Sequence, residues 1–403
     1  MPGLSRRAAL LGLAGVALGG CTVTPPTSLV DPSTSPQPSS PEPAPTPTET
    51  PTPTPTVDTT PRWPLTGKPF KDGDEAKARH MAVAVKVPVE MRSFPQSGVD
   101  KADIVFWEAQ GKSYDITRLC AIFHSKWPTE GANPVRSVRP VDVALISPLK
   151  PVLACASATP WVIKYVKKNK KYIELREKLG DKSARWGYKN LGTWWLGSGV
   201  SDKLIIAYPK QLSADGTLSK DEIPPVYFPY HAPDGEPSTV NGLPVTQVTL
   251  QYKGSKAPAT ASAGDGKEQH RYTYDAENNN WPASINFQHI KYKKWRKYTV
   301  RNGTRVAPDN VLILFCNWSM GVLKGYKGHV EPIYEIIDGS DKFIYIHGGK
   351  YVTGTWTKGK ITDLFTFTLD DGTPLQMAPG KTWVEMPNGT TKMTIADGKM
   401  SIK

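Results

Sequence analysis

The sequence predicts an α+β protein, with an N-terminal mixed α/β layered domain followed by a mostly-β C-terminal domain. Three observations carry this. Short apolar runs interleave with helical patterns over the first part of the body, strand-like runs broken by Gly, Asn, Asp and Pro turns fill the second, and the texture changes at Pro224-Pro225. Residues 62–403 are enough chain for two domains with real cores, drawn here at 62–222 and 223–403.

Before the body, residues 1–20 read as a signal peptide. Arg6 and Arg7 precede an apolar run, Ala8 to Gly20, that is too short to cross a bilayer, which takes about 20 apolar residues. Leu18-Gly19-Gly20-Cys21 fits a lipobox, so Cys21 is the expected lipid attachment site and the mature N-terminus. Ser5 to Leu10 fits either a twin-arginine export signal or an ordinary charged start. Residues 21–61 are almost entirely Pro, Thr and Ser, a composition that offers no core and suits an extended, disordered tether reaching roughly 120 Å at about 3.1 Å per residue. The expected location is therefore extracytoplasmic, on the outer face of the cytoplasmic membrane.

In the first domain, Met81–Val87, Asp103–Ala109, Leu119–His124 and Pro151–Ala156 read as strands. Val141–Ser147 and Trp161–Lys168 read as helices, the second with Thr159-Pro160 as cap and first-turn proline. In the second domain the strands are Val245–Tyr252, Asn310–Cys316, Pro332–Ile337, Lys342–His347 and Lys350–Thr357. Gly348-Gly349 reads as a two-residue hairpin turn, and Asp370-Asp371-Gly372 as another turn.

The chain carries a net charge of +13, and removing Arg6, Arg7, Asp31, Glu42, Glu49 and Asp58 raises the body's charge by two. Outside the membrane, such a surface attracts anionic lipid headgroups or wall polymers, although high charge also serves solubility alone. Beyond charge there is no nucleic-acid signature. Cys120, Cys155 and Cys316 each sit in an apolar run, which favours buried free thiols over a disulfide, with a Cys120–Cys155 bridge as the alternative. No Cys or His spacing suits zinc, so no metal or other cofactor is expected. The seven histidines are scattered and read mostly as surface or loop residues.

The densest set of candidate residues is Pro95-Gln-Ser-Gly98, Ala102-Asp-Ile-Val105, Glu108, Ile116-Thr-Arg118 and Pro134-Val-Arg-Ser-Val-Arg139, joined later by Gly354-Thr-Trp-Thr-Lys358 and Gly380-Lys-Thr-Trp-Val-Glu385. This pattern resembles the YerB-like lipoprotein family, two-domain envelope proteins of uncharacterised function, over nearly all of the body. The resemblance implies an envelope location and two domains but brings no reaction. The sequence departs from that family's pattern at Pro209-Lys-Gln-Leu212, where the family form is Pro-His-Asn-Leu, at Ala156-Ser-Ala-Thr159, where a Gly-Gly-Ser turn is usual, and at Trp281-Pro-Ala-Ser284 in place of Trp-x-Arg-Ser. A binding role tolerates such changes better than a histidine-dependent activity does.

Arg118, Arg136 and Arg139 have two readings. They converge beside Ser137 as an anion site, since guanidinium groups take phosphate or carboxylate through planar two-point hydrogen bonds, or each pairs with an internal acid such as Asp103 or Glu108. Ser137 as a nucleophile lacks a local base. In His289 to Tyr298, strand alternation places Lys291, Lys293, Trp295 and Lys297 on one face, either a platform for an acidic or phosphorylated glycan or an edge guarded by lysines. Trp186, Trp194 and Trp195 suit sugar stacking or core packing.

Together these residues point to a membrane-anchored envelope protein that binds an anionic wall or lipid component, or a partner protein, without catalysis. The rival is a hydrolase of wall phosphodiester or glycan polymers using Asp103 or Glu108, which requires two carboxyl groups across an open groove.

Overall fold

The computed structural model describes residues 61–89, 93–109, 117–156, 158–177, 188–195, 201–252, 268–286 and 294–403, with the backbone alone for 188–195 and 201–204. Four α-helices are described: α1 (Asp74–Ala78), α2 (Pro140–Ile146), α3 (Pro160–Lys168) and α4 (Pro209–Ala214). The first strands are β1 (Val83–Pro88), β2 (Ile104–Ala109), β3 (Thr117–Phe123), β4 (Val152–Cys155), β5 (Glu174–Glu177), β6 (Tyr188–Trp195) and β7 (Ser201–Ala207). Next come β8 (Leu243–Pro244), β9 (Gln247–Gln251), β10 (Gln269–Thr273), β11 (Ala283–Asn286), β12 (Arg296–Lys297), β13 (Asn310–Leu314) and β14 (Trp318–Gly321). The last are β15 (Glu331–Tyr334), β16 (Gly339–His347), β17 (Lys350–Lys358), β18 (Thr366–Leu369), β19 (Thr382–Glu385), β20 (Met393–Ala396) and β21 (Lys399–Ile402).

The expected texture holds: the N-terminal part mixes helices and strands, and the C-terminal part is mostly β. The two parts share one sheet. An eleven-stranded sheet runs β18-β17-β16-β13-β19-β2-β3-β1-β4-β5, with β8 on β17, so a block of strands from after residue 222 continues edge to edge into a block from before it. The junction is the parallel pair β19–β2, in which Trp383 stands opposite Val105 and Glu385 opposite Trp107. A six-stranded sheet, β12-β11-β10-β9-β21-β20, packs on one face of the large one.

Both faces of the central strands are covered, so β1, β2, β3 and β4 are buried along their whole length and are apolar except at Lys86, Glu108, Thr117 and Arg118. Strand alternation divides the core. Ala84, Phe106, Ile122 and Leu153 face α2, α3 and the aromatic residues Tyr227 and Phe228. Val85, Val105, Trp107 and Ala121 face the six-stranded sheet through Val248, Leu250, Tyr272 and Ile402.

Local chemistry set the helix starts and the turns. Pro140 and Pro160 open α2 and α3, where a missing N–H costs nothing. The β16–β17 hairpin closes on Gly348 (φ 58°) and Gly349 (φ 73°), the left-handed pair that a two-residue turn requires. Cys120, Cys155 and Cys316 are free and buried. Among the described residues no helix is long and apolar enough to cross a membrane. Cys21 and the segment 21–61 lie outside the described residues, apart from Pro61.

Candidate functional site

β2, β19 and β13 run parallel, as do β1, β4 and β5, and β3 is antiparallel to both β2 and β1. The carboxyl ends of six strands therefore lie along one edge, the place where open α/β sheets carry ligands. The element Pro134 to Arg139 caps that edge. The Arg136 N–H donates to the Lys86 carbonyl at 2.9 Å, and its own carbonyl accepts from the Ala156 N–H at 3.0 Å, so the loop is wedged between the ends of β1 and β4.

Beneath the loop lies a sealed ionic array. Lys86, on β1, is fully buried and donates to Glu108 on β2 and, at 2.7 Å, to Asp142 on α2. Burial opposes the ammonium charge, but Asp142 and Glu108 outweigh it and hold Lys86 above its ordinary value. Burial, and then the Asp142 charge, push the Glu108 carboxyl up to about 7. Asp142 also reaches back to accept the Arg139 N–H at 2.6 Å, fixing the start of α2. The Arg139 guanidinium lies 3.4 Å from Glu331 of β15, which accepts in turn from the Thr159 hydroxyl at 3.0 Å. Arg118 is 3% exposed and stands opposite Glu108 in the β2–β3 ladder.

The structure thus brings Arg118, Arg139 and Glu108 into one buried neighbourhood and leaves Arg136 and Ser137 half-buried at the rim. Three guanidinium groups do not share an open pocket: Arg139 is bound to Glu331, and its burial matches a structural pair. Asp103 lies elsewhere. It accepts from the N–H groups of His124 and Ser125, each at 2.7 Å, and from the Ser125 hydroxyl, while burial pushes its carboxyl up to about 6.

On the opposite face of β2 sits a second array that the sequence reading passed over. His270 of β10 is fully buried, stacked at 3.5 Å on Trp107. Its Nδ1 lies 3.1 Å from both carboxylate oxygens of Glu385, and its Nε2 lies 2.6 Å from Glu268. Thr117 donates to Glu268 from its backbone and hydroxyl, and Tyr252 and Tyr272 donate to Glu385 at 2.9 and 2.6 Å. Burial works against the imidazolium, but Glu385 and Glu268 overcome it and raise His270 to about 9. His124 is buried too, at the end of β3, and burial, then the neighbouring His80, push it down to about 3. The expectation that histidines sit mostly at the surface therefore fails for these two. Glu268-Gln269-His270, read with strand alternation, carries the one local sign of this: acid and imidazole fall on the same face.

Of the proposed lysine platform, Lys291 and Lys293 lie outside the described residues. Lys297 is exposed on β12, and the Trp295 ring is covered by the Arg271 guanidinium, 3.7 Å from its centroid. Trp186 also lies outside the described residues, and only the backbone of Trp194 and Trp195 is described. Among the described residues no group of three His, Cys, Asp or Glu side chains is arranged to hold a metal ion.

A cleft of about 630 Å³ opens past the carboxyl end of β13, between the β16–β17 hairpin and the start of β20. Phe315 and Ile344 line it with Asp341, Lys342, Asp370 and Lys392.

Two family models match the chain: the N-terminal domain of the protein of unknown function DUF3048 over residues 65–190, and the C-terminal domain of the same over residues 260–384. Among solved structures the chain is similar to the YerB protein from Bacillus subtilis, with a TM-score of 0.59 and 20% identity over 81% of this chain and 96% of that one. At that identity the likeness is one of fold. No curated protein matches the chain.

Proposed function

The chain belongs to the YerB-like DUF3048 family, and from that premise we propose that it is a lipid-anchored extracytoplasmic protein that binds an anionic envelope component without catalysis. One observation carries the non-catalytic part. The groups best suited to acid–base work are paired with one another inside the molecule: Lys86, Glu108 and Asp142 on one face of the sheet, and His270, Glu268 and Glu385 on the other. Their side chains are at most 3% exposed, so a substrate atom has no path to them without unfolding the wall. The hydrolase rival needs paired carboxyl groups across an open groove, and Asp103 and Glu108 are both buried. The binding part is supported by the net charge of +13 and by the family's envelope association implied by the sequence.

The test uses the full-length protein in detergent with isolated wall material. Salt-sensitive co-sedimentation without release of soluble fragments is expected. Release of fragments that stops when Glu108 is replaced by Gln would establish the hydrolase instead.

A partner protein is the second reading, and β20 favours it. β20 is the outermost strand of its sheet, with Met393 and Ile395 exposed at 40% and 37% beside the cleft. Lys392 and Lys403 exchange both backbone hydrogen bonds, so alternation turns the N–H and C=O groups of Met393 and Ile395 outward, ready to receive an extended strand. Ile395→Pro removes one outward N–H, and it should abolish cross-linking from position 394 in intact envelopes while leaving polymer binding unchanged.

A further inference from the structure

The most concentrated surface charge lies on α3 and its continuation. Lys164, Lys167, Lys168, Lys170 and Lys171 are all exposed, and residues 158–173 hold no acid. The 322–330 loop between β14 and β15 lies against the same helix. Tyr326 meets Trp161 and Tyr165 with ring centroids 5.8 and 6.0 Å apart, and the Trp161 indole donates to the His329 carbonyl at 2.7 Å. That contact brings exposed Lys324 and Lys327 to the same side, again from a stretch without acids. Among the described residues none of these seven lysines is in an ion pair, and Glu177 is the acid close enough to feel one of them, Lys167.

Ordinary helix chemistry accounts for only two of them. Lys167 and Lys168 sit in the last turn of α3, where cations favour the helix dipole. Lys164 and Lys168 are like charges four residues apart, which weakens a helix by a few tenths of a kcal/mol. Lys170, Lys171, Lys324 and Lys327 lie outside the helix altogether. A surface kept this basic against its own repulsion is complementary to something outside the chain.

We infer that the lysine surface of α3 and the 322–330 loop binds a linear phosphodiester polymer. This rests on the binding reading above and locates it. Every cation in the patch is lysine. An ammonium is a hydrated point charge without the guanidinium fork, which suits repeated phosphates in no fixed orientation better than one discrete carboxylate ligand. A membrane surface fits less well. Trp161 is buried and Tyr165, Tyr172 and Tyr326 are half-buried, so the patch has no aromatic wedge to insert, and Val330 is its one strongly exposed apolar side chain.

The test measures retention of the full chain in detergent on immobilised poly(glycerol phosphate) as salt is raised. Two variants are compared: Lys164, Lys167, Lys168, Lys170 and Lys171 all changed to Gln, and a control of equal charge loss with Lys68, Lys71, Lys210, Lys399 and Lys403, exposed lysines outside any candidate site, changed to Gln. Thermal melting confirms that each is folded. The patch variant should bind at least about tenfold more weakly with a flatter salt dependence, and the control should stay close to wild type. Equal losses in both variants would overturn the assignment to α3 while leaving the binding reading intact. No binding by the wild type would overturn the anionic-component reading itself. Binding to vesicles of phosphatidylcholine and phosphatidylglycerol that excess polymer cannot displace would overturn the choice of a polymer over a membrane.

Discussion

Glu385 on β19 and His270 on β10 meet at 3.1 Å, and this contact ties the large sheet to the six-stranded sheet across an otherwise apolar core. Glu268 takes the other ring nitrogen, so both nitrogens of the imidazole face a carboxylate and the charged form is held. An ion triad at this depth is expensive to break because each remaining charge keeps its desolvation penalty.

His270 should make stability depend on pH in one direction. Its folded value, about 9, lies above the ordinary 6.5, so the folded state alone keeps the proton between the two. The stabilisation is complete below about pH 6.5 and is lost as pH rises through 9. It amounts to something on the order of 3 kcal/mol. Urea midpoints at pH 6.5 and 9.5 should differ accordingly, and His270→Gln should flatten the difference while lowering stability at both.

Lys86→Met should destabilise by about 3 to 5 kcal/mol at pH 8, because it strands Glu108 and Asp142 without a counter-charge. Protonation relieves this. The loss should shrink as pH falls, and Lys86→Met with Glu108→Gln should be more stable than Lys86→Met alone. A double variant no better than the single one would mean the lysine acts through packing.

Glu108 itself carries a separate signature. Its carboxyl is raised from the ordinary 4.5 to about 7, so the folded state holds a proton that the unfolded chain has released over that range. Stability should therefore decline as pH rises from about 4.5 to 7, and Glu108→Gln should remove that part of the slope.

Arg136 and Arg139, three residues apart, separate by burial. Arg139, 7% exposed and bound to Glu331, should cost several degrees of melting temperature when changed to Ala, and Arg136→Ala should cost less. Equal losses would place Arg136 in the structural network as well.

Gly349 and Gly348 share the hairpin but not its surroundings. A Cβ at 349 would come within 2.7 Å of the Tyr274 ring, and at 348 nothing lies nearer than 3.9 Å. Both positions have positive φ, so Ala is strained at each, but Gly349→Ala should cost about 1 to 3 kcal/mol more than Gly348→Ala in thermal unfolding.

Much of this was legible along the chain. Strands β1 to β4, helices α2 and α3 and the Gly348-Gly349 hairpin follow from runs of a few residues, because apolar continuity, a leading proline and paired left-handed glycines act over short range. Even the buried ions left a local trace: Lys86 sits among valines in Val83-Ala-Val-Lys-Val-Pro88, where an uncompensated ammonium has no reason to be. The compensation was invisible, since Glu108 and Asp142 arrive from another strand and a helix. The same holds for His270 and Glu385, which are 115 residues apart, and for Trp383 beside Val105 in the parallel pair that makes both parts of the body one sheet. Sequence alone determined which segments are strands and where charge accumulates. Only the tertiary structure decided which strands are neighbours and which charges are sealed, because pairing between distant segments depends on the shared burial of whole faces and not on any feature within one segment.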